Sequence, residues 1–371
     1  MSFFVLLKKN NLVCNMKKII FIVLITPLLS YSQIINKNLF FDGLDRQYII
    51  YVPSNYNGSQ SVPLLFSFHG GGGYASDHML MTNFNVISDT AGFIAVYPQG
   101  AVDYNGADPG TTPSTSWLHK APTDHNDINF IAAIIDTLAN EFMIDQNRVY
   151  ACGYSEGGIF SYELGCRLSD RVAAFSSVSG SMLTDAFRSN DYGFGICSPS
   201  HPTAVMLIPG DSDFNYHSMY DGFQPYYMAV SEITEYWQNF NNTDVSPIVN
   251  NIINSNTTDG STVEKREWLN GENCVSVTEL KVIGGGHDWP GSSGNMDISA
   301  SEEIWRFVSQ YDINGLIGCS TNYNNQFNNS DYNRQIIKIV DMLGRESIKS
   351  KFNTLFYIYN DGSVEKKITI N

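Results

Sequence analysis

One serine in the chain has a setting suited to nucleophilic attack. The stretch Arg148-Val-Tyr-Ala-Cys-Gly-Tyr-Ser-Glu-Gly-Gly-Ile-Phe-Ser161 begins with the apolar run Val149 to Cys152. It turns at Gly153-Tyr-Ser155-Glu-Gly157 and continues in a helical pattern through Tyr162, Leu164 and Cys166. Strand, Gly-x-Ser-x-Gly turn and helix together make a nucleophile elbow, with the serine held on a strained turn. Side chains at 153 or 157 would collide with the neighbouring strand or helix, hence the glycines. A serine hydroxyl is a weak nucleophile and needs a base in hydrogen-bond reach. His287, in Gly284-Gly-Gly-His-Asp-Trp-Pro-Gly291 directly after the apolar run 277–283, is the candidate, since its glycines permit a close approach. His119 and His125 lie in a long loop and His201 precedes a strand, so they are less suited. The base in turn needs a carboxylate to orient it and stabilise its cation. The run 203–208 ends in Pro209-Gly-Asp-Ser-Asp213, where both aspartates are candidates. Asp213 sits further past the turn and is favoured, whereas Asp211 suits a turn cap.

Acyl transfer also needs donors for the developing oxyanion. The N–H of Glu156 is one, and Gly71 of the turn His69-Gly-Gly-Gly-Gly73 is the expected second. The same glycines read as a phosphate cradle lack the Lys-Ser/Thr of a P-loop. Trp117, Phe214 and Tyr216, with Tyr220 and Phe223, are candidates to line an acyl pocket, against the plainer reading of aromatic packing.

These residues must be carried by elements. Strands are expected at 38–53 (two, joined at Asp42-Gly43), Val62 to Phe68, Phe93 to Tyr97, Val172 to Val178, Thr203 to Ile208 and Val277 to Ile283. Helical periodicity marks Asp77–Ala91, Asp127–Phe142, Met228–Phe240 and Ser301–Ser309. Strands alternating with helices imply a mainly parallel sheet covered on both faces. Residues 101–126 form a long loop rich in Gly, Pro, Thr and Asp. Ser, Asp and His in that order, with the glycine turn, match an α/β-hydrolase.

The chain has 371 residues, 43% of them hydrophobic, which suffices for one large core and an appendage. The formal charge of −15 argues against nucleic acid as a partner. Met16-Lys-Lys18, the apolar run Ile19 to Leu29 and Ser30-Tyr-Ser32 read as a signal peptide over 1–32, with Met16 as the expected start. No later stretch is long and apolar enough to span a membrane. Of six cysteines, five follow the signal: Cys152, Cys166, Cys197, Cys274 and Cys319. Their spacing is unlike a zinc site, and no metal or nucleotide cofactor is implied. Cys166–Cys197 and Cys197–Cys274 are the candidate disulfides, with Cys152 a small core residue. The expected boundaries are a catalytic domain over 33–314, a linker rich in Asn, Ser and Asp over 315–334, and a β segment over 335–371.

Four motifs carry a resemblance: Phe93-Ile-Ala-Val-Tyr-Pro-Gln-Gly100, Asp127-Ile-Asn-Phe130, Arg148 to Gly158 and Gly284 to Gly291. Together, over about residues 38–311, they resemble the polyhydroxybutyrate depolymerase/feruloyl esterase family of secreted esterases. The resemblance implies an α/β-hydrolase fold and a triad of Ser155, Asp213 and His287, since the family's Gly-x-x-Asp matches Gly210 to Asp213. It implies ester substrates, with feruloyl or acetyl esters on plant polysaccharide preferred over polyhydroxyalkanoate. The chain departs from the family pattern at Glu156, Asp288 and Pro209. Lys338 to Arg345 with Leu355 to Lys367 is similar to the C-terminal sorting domains of type IX secretion, which implies secretion machinery as a partner. A binding module without catalysis on the same scaffold is the rival class, and it has no need of all three triad residues.

Overall fold

The structure is a computed structural model describing residues 32–103, 114–118, 126–319, 336–340, 354–359 and 364–368. Residues 1–31 of the expected signal peptide, His119, His125 and most of the expected linker lie outside the described residues. The chain divides into two units, 1–319 and 320–371.

The first unit begins with β1 (Gln33–Phe41), β2 (Leu44–Val52) and β3 (Val62–Phe68), then α1 (Ala75–Thr82), α2 (Phe84–Ala91) and β4 (Ile94–Pro98). A small hairpin of β5 (Ala101–Asp103) and β6 (Ser114–Ser116) rises within the long loop. Next come α3 (Asp127–Glu141), β7 (Ile144–Tyr154), α4 (Glu156–Arg167), β8 (Ala174–Val178), α5 (Asp185–Asp191) and β9 (Ala204–Ile208). The unit closes with α6 (Val230–Asn241), β10 (Ile248–Asn251), β11 (Thr262–Trp268), β12 (Val277–Ile283), α7 (Ala300–Val308), β13 (Tyr311–Asp312) and β14 (Gly315–Leu316).

Ten strands form one sheet in the order β1-β2-β4-β3-β7-β8-β9-β12-β11-β10. The six from β4 to β12 run parallel, and an antiparallel pair flanks each end. Side-chain alternation splits the core into two layers. Phe66, Val96 and Ala151 face the layer that holds Phe130, Phe160 and Trp237. Leu65, Ala95 and Cys152 face the layer that holds Phe84, Trp289 and Phe307. β4, β8 and β9 are buried along their whole length, as expected of strands covered on both faces.

Two expectations need correction. The single helix expected over 77–91 is two helices, because Asn83 adopts a left-handed conformation (φ 53°) that ends α1 and starts α2. The pair Cys197–Cys274 does not form: Cys166 bonds Cys197 and Cys274 bonds Cys319. Cys152 stays free in the core, where burial pushes its thiol up to about 12 and keeps it unreactive.

Asp127 fixes the long loop to the body. Its carboxylate pairs with Arg46 at 2.7 Å and accepts the Leu118 N–H at 2.9 Å, with both charged side chains buried. Arg46 also lies over the Phe130 ring, 4.0 Å from its centroid. Asp127→Ala strands the Arg46 charge and is expected to cost about 3–5 kcal/mol, read from denaturant unfolding. Adding Arg46→Leu should recover most of that loss; no recovery would mean that the bond to Leu118, rather than the ion pair, carries the effect.

In the second unit, β15 (Ile336–Val340), β16 (Thr354–Tyr359) and β17 (Val364–Ile368) pair antiparallel in sequence order.

Candidate active site

The parallel strands bring their C-terminal ends to one edge, where ligands bind in open α/β sheets. Ser155 follows β7, Gly71 follows β3, Asp213 follows β9 and His287 follows β12. Ser155 has φ 57° and ψ −121°, a conformation costly for any residue other than glycine. Its N–H donates to Val178 O at 2.9 Å, and its carbonyl accepts from Gly158 and Ile159, so neighbouring β8 and the start of α4 hold it there. A Cβ on Gly153 would fall 2.1 Å from Gly157 O, and one on Gly157 would fall 2.3 Å from Phe68 O. No side chain fits at either position, which is the physical content of the motif.

Asp213 is 4% exposed, and its Oδ2 lies 2.7 Å from His287 Nδ1. Its Oδ1 accepts from the Asn215 N–H at 3.0 Å. Burial opposes the charged form, but bonds from His287, Asn215 and Ser218 outweigh it and hold the carboxyl below its ordinary value. Asp211 points elsewhere: it accepts the Gly284 N–H at 2.7 Å and faces Lys281, capping the loop that carries His287. The turn that carries Asp213 and the loop that carries His287 are in close contact, since a Cβ on Gly210 would fall 2.4 Å from Gly285 O. The Tyr154 hydroxyl donates to His287 O at 2.7 Å, and Ser218 Oγ lies 3.1 Å from His287 Nδ1.

The Ser155 hydroxyl itself bonds to a histidine that the sequence reading passed over. His217 Nε2 lies 3.0 Å from Ser155 Oγ. The His217 ring stands perpendicular to that of His287, with centroids 5.4 Å apart. Among the described residues, no hydrogen bond joins Ser155 Oγ to His287. Burial and then the neighbouring His287 hold the His217 pKa below its ordinary value, with Asp213 opposing them. The only sequence signal for His217 is its position four residues after Asp213, in the loop Phe214-Asn-Tyr-His217.

The glycine turn sits against Ser155, since a Cβ on Gly70 would fall 3.1 Å from Ser155 Cβ. His69 anchors this turn from the buried side. Its Nε2 accepts the Gly100 N–H at 2.9 Å, which leaves Nδ1 to donate to Gly70 O at 2.7 Å. The Glu156 carboxylate accepts from Ser116 Oγ at 2.6 Å and lies beside Gly71. Of the pocket candidates, Trp117 is 1% exposed, stacks on Phe160 and donates its indole N–H to His69 O. It therefore supports the glycine turn from within the core rather than lining a pocket. Phe214 and Tyr216 are 86% and 56% exposed, on the loop that carries Asp213 and His217. Among the described residues, no group of three or more His, Cys, Asp or Glu is placed to hold a metal.

No family model matches the chain. It is 27% identical over 282 residues to a bifunctional acetylxylan esterase/xylanase of Neocallimastix patriciarum, covering 76% of this chain and 35% of that protein. It is 26% identical over 249 residues to a putative esterase of Nocardia uniformis subsp. tsuyamanensis, covering 62% and 66%. It is 25% identical over 276 residues to feruloyl esterase B of Piromyces equi, covering 72% and 46%. The chain thus spans about a third to two thirds of the length of these relatives. Among solved structures, an acetyl xylan esterase from Aspergillus awamori aligns with a TM-score of 0.50 at 14% identity, over 74% of this chain and 99% of that one. With the sheet order above, this likeness establishes the α/β-hydrolase fold.

Proposed function

We propose that the chain is an exported serine esterase that cleaves carboxylic esters through an acyl-enzyme, with feruloyl or acetyl groups on plant polysaccharide as its substrates. One observation carries the reading: a strained serine elbow shares a sheet edge with a histidine hydrogen-bonded to a buried aspartate. A binding module has no use for that strain or that pair. Relatives described as acetylxylan and feruloyl esterases support the substrate class.

In the proposed reaction Ser155 Oγ attacks the ester carbonyl and passes its proton to His287, while Asp213 holds the imidazolium. The N–H groups of Glu156 and Gly71 receive the oxyanion. His287 then protonates the departing alcohol, and water, activated by the same histidine, releases the acid. Two disulfides in the first unit support export to an oxidising compartment. The antiparallel sheet at the C-terminus supports a β sorting segment that engages secretion machinery.

The test is hydrolysis of p-nitrophenyl acetate and methyl ferulate, with release of ferulate or acetate from plant xylan as the polymer assay. Intact-mass detection of an acyl group on Ser155 reports the intermediate. Turnover of neither small ester by folded protein would overturn the reading. Glu156→Gln should keep the bond from Ser116 while removing a negative charge beside the oxyanion site. We expect kcat to rise about twofold to tenfold with little change in KM. A fall in kcat would show instead that the carboxylate takes part in the chemistry.

A further inference from the structure

We propose that His217 is the resting partner of the nucleophile: it holds the Ser155 hydroxyl in the free enzyme and yields it to His287 when an ester enters. This inference rests on the serine esterase reading.

A hydroxyl has one proton and donates it to one acceptor at a time. Ser155 Oγ lies 3.0 Å from His217 Nε2, and the His287 ring stands beside the His217 ring. The two imidazoles are not equivalent. His287 has a buried carboxylate on Nδ1, so a proton arriving at its Nε2 is stabilised. The His217 ring has Ser155 as its one hydrogen-bond partner among the described residues. The charged or titratable groups around it are His287 from the loop after β12, Asp213 from its own loop and the Tyr216 and Tyr227 rings. None of them places a carboxylate on its free nitrogen. His217 is therefore a good acceptor of a hydrogen bond and a poor acceptor of a full proton.

The consequence is competition. The bond to His217 stabilises the free serine and is absent once Oγ is bonded to carbon. Breaking it adds to the barrier for attack. The activating step is a turn of the O–H from His217 to His287, with no covalent bond changed. In the attack that follows, Oγ bonds to the carbonyl carbon, its proton moves to His287 and the carbonyl π pair moves to oxygen. The backbone holds His217 in place: its carbonyl accepts the Ser181 N–H at 3.0 Å.

Removing the acceptor tests this. His217→Phe keeps a planar ring and cannot bond to Oγ. It should raise the rate of Ser155 labelling by a fluorophosphonate, and kcat/KM for p-nitrophenyl acetate, about threefold to tenfold, the size of one net hydrogen bond. His217→Gln restores an acceptor and should fall back toward the wild-type rate. In wild-type protein carrying ¹⁵N-histidine, Nε2 of His217 should resonate as an unprotonated acceptor, and the signal should shift in Ser155→Ala. A loss of activity in folded His217→Phe matching that of His287→Ala overturns the proposal and makes His217 the base. An unchanged labelling rate, or a protonated Nε2 in the resting enzyme, also overturns it. The nuclear resonance measurement needs no variant at position 217 and no turnover. If the wild type hydrolyses no ester, the esterase reading fails while that measurement still reports the Ser155–His217 bond.

Discussion

Ser155→Ala is expected to reduce ester hydrolysis by roughly 10⁴–10⁶-fold in kcat, with little change in substrate binding. His287→Ala should cost a similar factor, because a hydroxyl without its base is a poor nucleophile at neutral pH. The double variant should be scarcely worse than either single one, since the two groups act as a unit and the residual rate comes from the oxyanion donors and from binding. Additive losses would mean that the two side chains serve separate steps. Steady-state rates on p-nitrophenyl acetate, with thermal unfolding to confirm intact folds, decide this. The Ser155→Ala fold is not in danger: alanine meets the same backbone demand at φ 57°, and the Ser155 N–H and carbonyl bonds belong to the main chain.

Parts of this site were legible because the constraint on them is local. The glycines at 153 and 157 are demanded by backbone atoms 2.1 and 2.3 Å from their missing Cβ positions, so their spacing alone marks the elbow. His287 and Asp213 follow apolar runs that form buried parallel strands, and such strands end at one edge. His217 was not legible, because no periodicity governs the loop after Asp213. Only the tertiary return of that loop brings His217 to the serine. β11 was missed for a similar reason. Thr262-Val-Glu-Lys-Arg-Glu-Trp268 is mostly polar because it lies near the sheet edge, where its charges pair with one another. For Trp117 the sequence offers both a pocket wall and plain packing, and the choice falls to packing only through tertiary bonds, since Asp127 and His69 hold that loop inward. The pairing of Cys274 with Cys319 is set by where β14 returns, which cysteine spacing does not encode.

Asp213→Asn is expected to lower kcat by about 10⁴-fold while leaving the fold intact. The carboxylate is the acceptor that keeps the proton of neutral His287 on Nδ1 and leaves Nε2 free to take one from a hydroxyl. An asparagine that keeps its amide oxygen on the Asn215 N–H turns its NH₂ toward His287 and selects the opposite tautomer. Asp213→Glu, which restores the charge at a displaced position, should recover part of the loss; full activity in the Asn variant would remove Asp213 from the mechanism. The same carboxyl contributes a defined pH dependence of stability. Its folded pKa lies below its ordinary value, so its contribution is complete above the unfolded value of about 3.9 and is lost as pH falls through the lower folded value. The stability difference between the wild type and Asp213→Asn should therefore shrink as pH falls below about 4. A difference that instead grows as pH falls below about 4 would mean that the carboxyl is raised in the fold, and the histidine pair would then not be what holds its charge.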